Sequence, residues 1–189
     1  MIMKKIMFND KFGLTKAVLE GRKTMTRRVC KDQQWSKSDL LAFNYDRLTL
    51  MTPPNYLIGE VVAIAQSYND VIEEWKKGYG QGFCFSPKDR AGMTNKMFVR
   101  ADDMPHHIKI TNILVEHLQD ISDEDCLREG IRKWDKVGNP LGPSYDFVNS
   151  PHGYTTPREA FAALIDKVSG KGTWESDPMV WVYEFELVD

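Results

Sequence analysis

Strand-forming and helix-forming stretches follow one another here without regular alternation, and that irregularity restricts the fold more than any other feature of the sequence. Short strand candidates stand at residues 2–8, 24–29, 47–51, 59–68, 96–100, 108–115 and 180–187. Helical candidates at 10–20, 122–130 and 156–170 are scattered among them, with one further helical turn at 71–77. A doubly wound α/β sheet needs a helix between successive parallel strands, so this order disfavours it. It favours an α+β domain built on a small, closed or partly closed mixed sheet of about six strands.

Local chemistry supports several of these elements. In the last strand Trp181, Tyr183, Phe185 and Leu187 alternate with Glu184 and Glu186, which predicts one buried and one wetter face. Gly59 opens an apolar run, Val61-Val62-Ala63-Ile64-Ala65, of the length of a core strand. Thr156-Pro157-Arg158-Glu159 is a capping box with proline at the first helical position; Phe161, Leu164, Ile165 and Val168 then form a core-facing stripe up to Gly170. Ser122 caps a shorter helix whose first turn carries Asp123, Glu124 and Asp125. Ile121 and Cys126 can staple it, and Gly130 stops it with Glu129 in the last turn. Segments near 32–55, 70–95 and 131–155 are polar, aromatic or rich in glycine, and read as long insertions or loops.

With 189 residues, 42% of them hydrophobic, a single domain spanning 1–189 with a real core is expected. The start, Met1-Ile2-Met3-Lys4-Lys5, has no apolar stretch behind it, and no later run approaches the roughly 18 apolar residues of a membrane span. A soluble, cytoplasmic protein without a membrane partner is the expectation; the oligomeric state is left open. Cys30, Cys84 and Cys126 form no C-x-x-C pair and suggest neither a disulfide framework nor a zinc knuckle. His106 and His107 are adjacent, and His117 and His152 stand apart, so no metal and no cofactor is expected. Net charge is -2, yet residues 1–31 hold nine Lys and Arg against Asp10 and Glu20. That asymmetry predicts one basic face on an otherwise acidic body, open to phosphate-bearing partners or simply solvated.

The chemistry is densest at Gly21-Arg22-Lys23-Thr24-Met25-Thr26-Arg27-Arg28, behind the first helix. Gly21 is placed to stop that helix, and a strand at 24–29 would put Thr24, Thr26 and Arg28 on one face. Each residue also has a purely structural role open to it: Lys23 as a cation at a helix carbonyl end, Thr26 as a strand filler, Glu129-Gly130 as an ordinary helix end.

The same eight residues resemble the G-x-K-x-x-E-x-R signature of the ASCH domain family, matching at Gly21, Lys23 and Arg28 and departing at Thr26. They are more similar to the G-R-K-T-x-T-x-R variant of that family's small bacterial N4-acetylcytidine amidohydrolases, where Gly21, Arg22, Lys23, Thr24, Thr26 and Arg28 all match. Gly59-Glu60-Val61-Val62, Leu127-Arg128-Glu129-Gly130 and Val182-Tyr183-Glu184-Phe185 extend the resemblance, which covers most of the chain in order. The insertions look like those of longer phage and prophage members. The resemblance implies a PUA-like β-barrel. It also implies a pocket in which Thr26 is nucleophile, Lys23 its base and Glu129 a proton donor, with Arg22, Thr24 and Arg28 binding substrate. The chemistry is self-consistent: a threonine hydroxyl needs an adjacent base, and Arg22, Arg27 and Arg28 would ease deprotonation of a buried Lys23. Expelling an amine from an N-acylated cytosine then needs a proton. The alternative is a binding module for RNA or a modified base, with Trp181, Tyr68 or Tyr154 as a stacking wall.

Overall fold

The computed structural model describes residues 3–30, 54–79, 90–135 and 142–188. The architecture is α+β. Seven strands are described: β1 (Lys5–Ile6), β2 (Met25–Val29), β3 (Val61–Ile64), β4 (His107–His117), β5 (Arg132–Trp134), β6 (Ser144–Asp146) and β7 (Met179–Leu187). The described helices are α1 (Leu14–Leu19), α2 (Tyr68–Tyr79), α3 (Asp123–Arg128) and α4 (Pro157–Ser169). Five strands form a mixed sheet in the order β1-β3-β4-β7-β2, and β5 and β6 form a separate ribbon. Among the described strands the β1–β3 pair alone is parallel. Among the described residues no pairing between the outer strands β1 and β2 closes the sheet.

β7 sits between β4 and β2, and that position explains its burial. Trp181, Tyr183 and Phe185 are buried, as the alternation predicts, but Val180 and Val182 on the opposite face are buried too. Both faces of the central strand are covered, so its apolar content exceeds a one-sided pattern. Toward the edge Glu184 is half-buried, while Glu186 and Leu187 are exposed. β4 runs alongside with a register shift between Ile110 and Asn112. The main core gathers Ile6, Phe12, Val62, Ile110, Leu118 and Phe161 among others, and a smaller cluster packs Tyr68 and Val71 with Ala65, Val99 and Met104.

Several elements form as their end signals dictate. Thr156 and Glu159 make the full capping box on α4. The Ser122 side chain accepts from Asp125 N at the start of α3, where Ile121 and Cys126 are both buried. Others differ from the sequence reading. The first strand shortens to two residues, and Asp10–Phe12 is a 3-10 turn separated from α1 by Gly13. The run from 59 to 68 is strand only over Val61–Ile64, because Ser67 and Asp70 cap the next helix: Asp70 N donates to Ser67 Oγ and Ser67 N to Asp70 Oδ2. Lys96–Phe98 is a 3-10 turn capped by Asn95, in place of the strand expected at 96–100. Part of the long 134–155 segment pairs as the β5–β6 ribbon. The strand expected at 47–51 lies outside the described residues. No helix among the described residues is long and apolar enough to cross a membrane.

Candidate functional site

Gly21, with φ +70°, turns the chain off α1. Its N–H donates to Val18 O, and the N–H groups of Arg22 and Lys23 both donate to Ala17 O, so the open carbonyls of the helix are met by backbone. The Lys23 side chain is therefore free to turn inward, and it does not act as the cation at the end of α1. Its amine meets the far end of α3: Nζ lies 2.5 Å from Glu129 Oε2 and donates to the Glu129 carbonyl oxygen at 2.8 Å. Glu129 can present both groups because Gly130, at φ +106°, reverses the chain immediately after it.

Both members of this pair are almost fully buried. Burial lowers the pKa of Lys23 from its usual value against the pull of Glu129, and the positive charges of Arg28 and Arg27 push the same way as burial. Arg27 forms the other half of the ionic cluster. Its Nη1 lies 3.2 Å from Glu129 Oε1, its Nη2 2.7 Å from Glu116 Oε1 and 3.3 Å from Asp125 Oδ2. Burial disfavours the Arg27 charge, but Glu129 and Glu116 outweigh it and raise its pKa above the ordinary guanidinium value.

Lys23, Thr26, Arg27, Arg28 and Glu129 all line one cavity of about 360 Å³. The stripe of α4, Phe161, Leu164, Ile165 and Val168, also lines it, together with Ser169, Thr173 and Ser176. Thr26 is buried, and its hydroxyl has no hydrogen-bond partner among the described residues. Arg28 is half-buried; its Nη2 donates to Met7 O at 2.6 Å and its guanidinium lies 5.9 Å from the Phe8 ring centre. Lys23 Nζ is at the same distance from that ring. A cavity of this size falls in the roughly 300–1,000 Å³ range of small-molecule sites. Its lining combines the Thr26 hydroxyl, the Lys23 amine, the Glu129 carboxylate and two guanidinium groups with the hydrocarbon of the α4 stripe and the hydroxyls of Ser169, Thr173 and Ser176.

Two expected substrate-binding residues are placed elsewhere. Arg22 is exposed and paired with Glu20 at 2.6 Å. Thr24 Oγ1 accepts from Arg128 Nε, and its backbone ties Arg128 to β7. Neither lines the cavity. The expected stacking residues Trp181, Tyr68 and Tyr154 are also absent from its walls, where the aromatic side chains are Phe8 and Phe161. Sequence reasoning missed Glu116 and Asp125 as partners of Arg27. The signal for Glu116 is one of register: β7 places Leu114 and Arg27 on either side of Val182, so Glu116 is two residues away on the same face.

Five of the nine basic residues of the first segment are paired with carboxylates among the described residues. Lys4 pairs with Glu60, Lys16 and Arg22 share Glu20, and Lys23 and Arg27 are buried among carboxylates. Acids from distant segments come to the basic segment, which the linear charge distribution does not display. No group of three or more His, Cys, Asp or Glu side chains among the described residues is arranged to hold a metal ion. No family model, curated protein or solved structure matches the chain.

Proposed function

We propose that this chain is an ASCH-type, PUA-like protein whose cavity hydrolyses the amide of an N-acylated cytosine nucleoside, with N4-acetylcytidine as the model substrate. The observation that carries the reading is the convergence of Thr26, Lys23 and Glu129 on one small cavity, with base and proton donor in contact at 2.5 Å. The barrel assignment draws support from the approach of the two outer edges of the sheet, where Arg28 of β2 bonds to Met7 O just after β1.

In this mechanism a proton first crosses the 2.5 Å contact from Lys23 to Glu129, and the neutral amine so formed takes the Thr26 proton as the Thr26 oxygen attacks the acyl carbon. The tetrahedral intermediate collapses with cleavage of the carbon–nitrogen bond, and Glu129 gives its proton to the departing cytosine amine. Water then hydrolyses the threonine ester, releasing the carboxylic acid and restoring the hydroxyl. The contact between Nζ and Oε2 lets the proton taken by Lys23 return to Glu129, so one pair serves both steps. Such acid–base assistance contributes about 10²- to 10⁴-fold. Arg28 is placed to receive a pyrimidine carbonyl oxygen or a phosphate.

The alternative, a module that only binds RNA or a modified base, is weakened by the pairing of five of the nine basic residues with carboxylates and by the absence of Trp181, Tyr68 and Tyr154 from the cavity wall. The test is incubation with N4-acetylcytidine, following cytidine release, beside titration with single-stranded RNA at low and high salt. Release of cytidine supports the hydrolase. Salt-sensitive RNA binding without release would replace it with the binding module.

A further inference from the structure

We propose that Arg27 is the positioning residue of this site: it holds one oxygen of Glu129 so that the other stays on Lys23, and Glu116 and Asp125 hold Arg27 in turn. Its kinetic consequences rest on the hydrolytic reading above; its geometry does not. The last torsion of a glutamate is broad, so a carboxylate is not aimed by its own rotamer and needs partners to fix it. Glu129 divides its two oxygens between two cations, Oε1 to Arg27 at 3.2 Å and Oε2 to Lys23 at 2.5 Å. Loss of either contact frees the plane to turn.

Arg27 is suited to that task because it is itself over-determined. Its side chain is 1% exposed; Nε and Nη2 both reach Glu116 Oε1, at 2.8 and 2.7 Å, and Nη2 also faces Asp125. The planar fork meets carboxylates from β4, from α3 and from the residue ending α3 at once, which an ammonium on a flexible stem cannot do with the same geometry. Neither Glu116 nor Asp125 lines the cavity, and Glu116 reaches the site through its contact with Arg27, whereas Asp125 also accepts the Glu129 N–H through its backbone.

The experiment compares wild type with Arg27→Gln, Arg27→Lys and Glu116→Gln, each first checked for folding. Glu116→Gln loosens the clamp without touching Glu129 or Lys23. With N4-acetylcytidine, Arg27→Gln is expected to lower kcat about 10²-fold with KM within about threefold, the loss that misplacement by about 1 Å produces. Arg27→Lys recovers part of it, and Glu116→Gln shows a smaller loss of kcat alone. The second readout needs no substrate: the 13Cε resonance of Lys23, which follows the charge and contacts of its amine. It moves in Arg27→Gln and Glu116→Gln and moves least in Arg27→Lys. If wild type releases no cytidine, the hydrolytic reading fails and this resonance alone decides the role of Arg27. An unmoved resonance in both neutral variants, or unchanged kcat in an active enzyme, overturns the proposal. If Arg27→Gln does not fold, Arg27→Lys and Glu116→Gln carry the comparison.

Discussion

A lysine amine withdrawn from water needs a counter-charge, and Lys23 finds one in Glu129, 106 residues along the chain. Glu129→Gln would leave that amine buried with its charge uncompensated, at a cost of about 3–5 kcal/mol in urea denaturation; adding Lys23→Met should recover much of the loss. Wild-type stability in the single variant would contradict a buried ion pair. The two described thiols make a separate prediction. Burial raises Cys126 to about 12 and Cys30 to about 11 from 9.0. Between pH 9 and those values the folded chain binds more protons than the unfolded one, so their contribution is full below pH 9 and lost as pH rises. Lys23, with its pKa lowered from 10.5, acts in the opposite sense, its contribution growing as pH rises toward 10.5. Cys126→Ala should therefore reduce the alkaline decline in folding free energy, and an unchanged slope above pH 9 would contradict this account. At this scale the sequence was informative about Lys23, Thr26, Arg28 and Glu129, which the cavity brings together. It named Arg27 only as a charge that would ease deprotonation of Lys23, an effect in the direction the structure gives, and not as the partner of Glu116 and Asp125, because neither acid is near Arg27 in sequence. Arg22 and Thr24 share the motif but not the cavity, since the chain is still turning off α1 at those positions.

Elements whose ends carry explicit chemistry were the readable ones. Thr156, Ser122, Gly21 and Gly130 each sit where their capping or turning role requires. Thr156→Ala should cost about 1 kcal/mol by removing a cap from the helix that walls the cavity, measured by thermal or chemical unfolding. Gly130→Ala should cost more than about 1 kcal/mol, because its backbone conformation suits only glycine. The added Cβ would also stand 3.3 Å from Leu14 Cδ2 and 3.7 Å from Lys23 Cδ. Cytidine release should fall with it, whereas Thr156→Ala should leave release near wild type at temperatures where it is folded. Equal activity in Gly130→Ala and wild type would detach the turn from the site. Where sequence reading faltered, local and tertiary preferences competed. Val99 is buried as a strand residue would be, yet Asn95 caps a 3-10 turn just before it. The capping pair Ser67 and Asp70 was present but hidden inside an apolar run that reads as strand.

For the whole molecule, sheet order does most to create the site. Pairing β2 with β7, and β7 with β4, carries Glu116 to Arg27, while α3 delivers Glu129 and Asp125 and α4 supplies the apolar wall. The α+β class was legible from the scattered order of elements. Strand order was not, because non-local pairing is set by packing between distant segments and leaves no periodic trace. The same long-range pairing brings Glu60, Glu116, Asp125 and Glu129 to Lys4, Lys23 and Arg27 of the basic first segment. The most direct measurement of the central claim is cytidine release from N4-acetylcytidine by wild type, Thr26→Ala and Lys23→Ala under one set of conditions. The account predicts release by wild type and a fall of at least about 10²-fold in both variants. Release at the wild-type rate by both folded variants would contradict it.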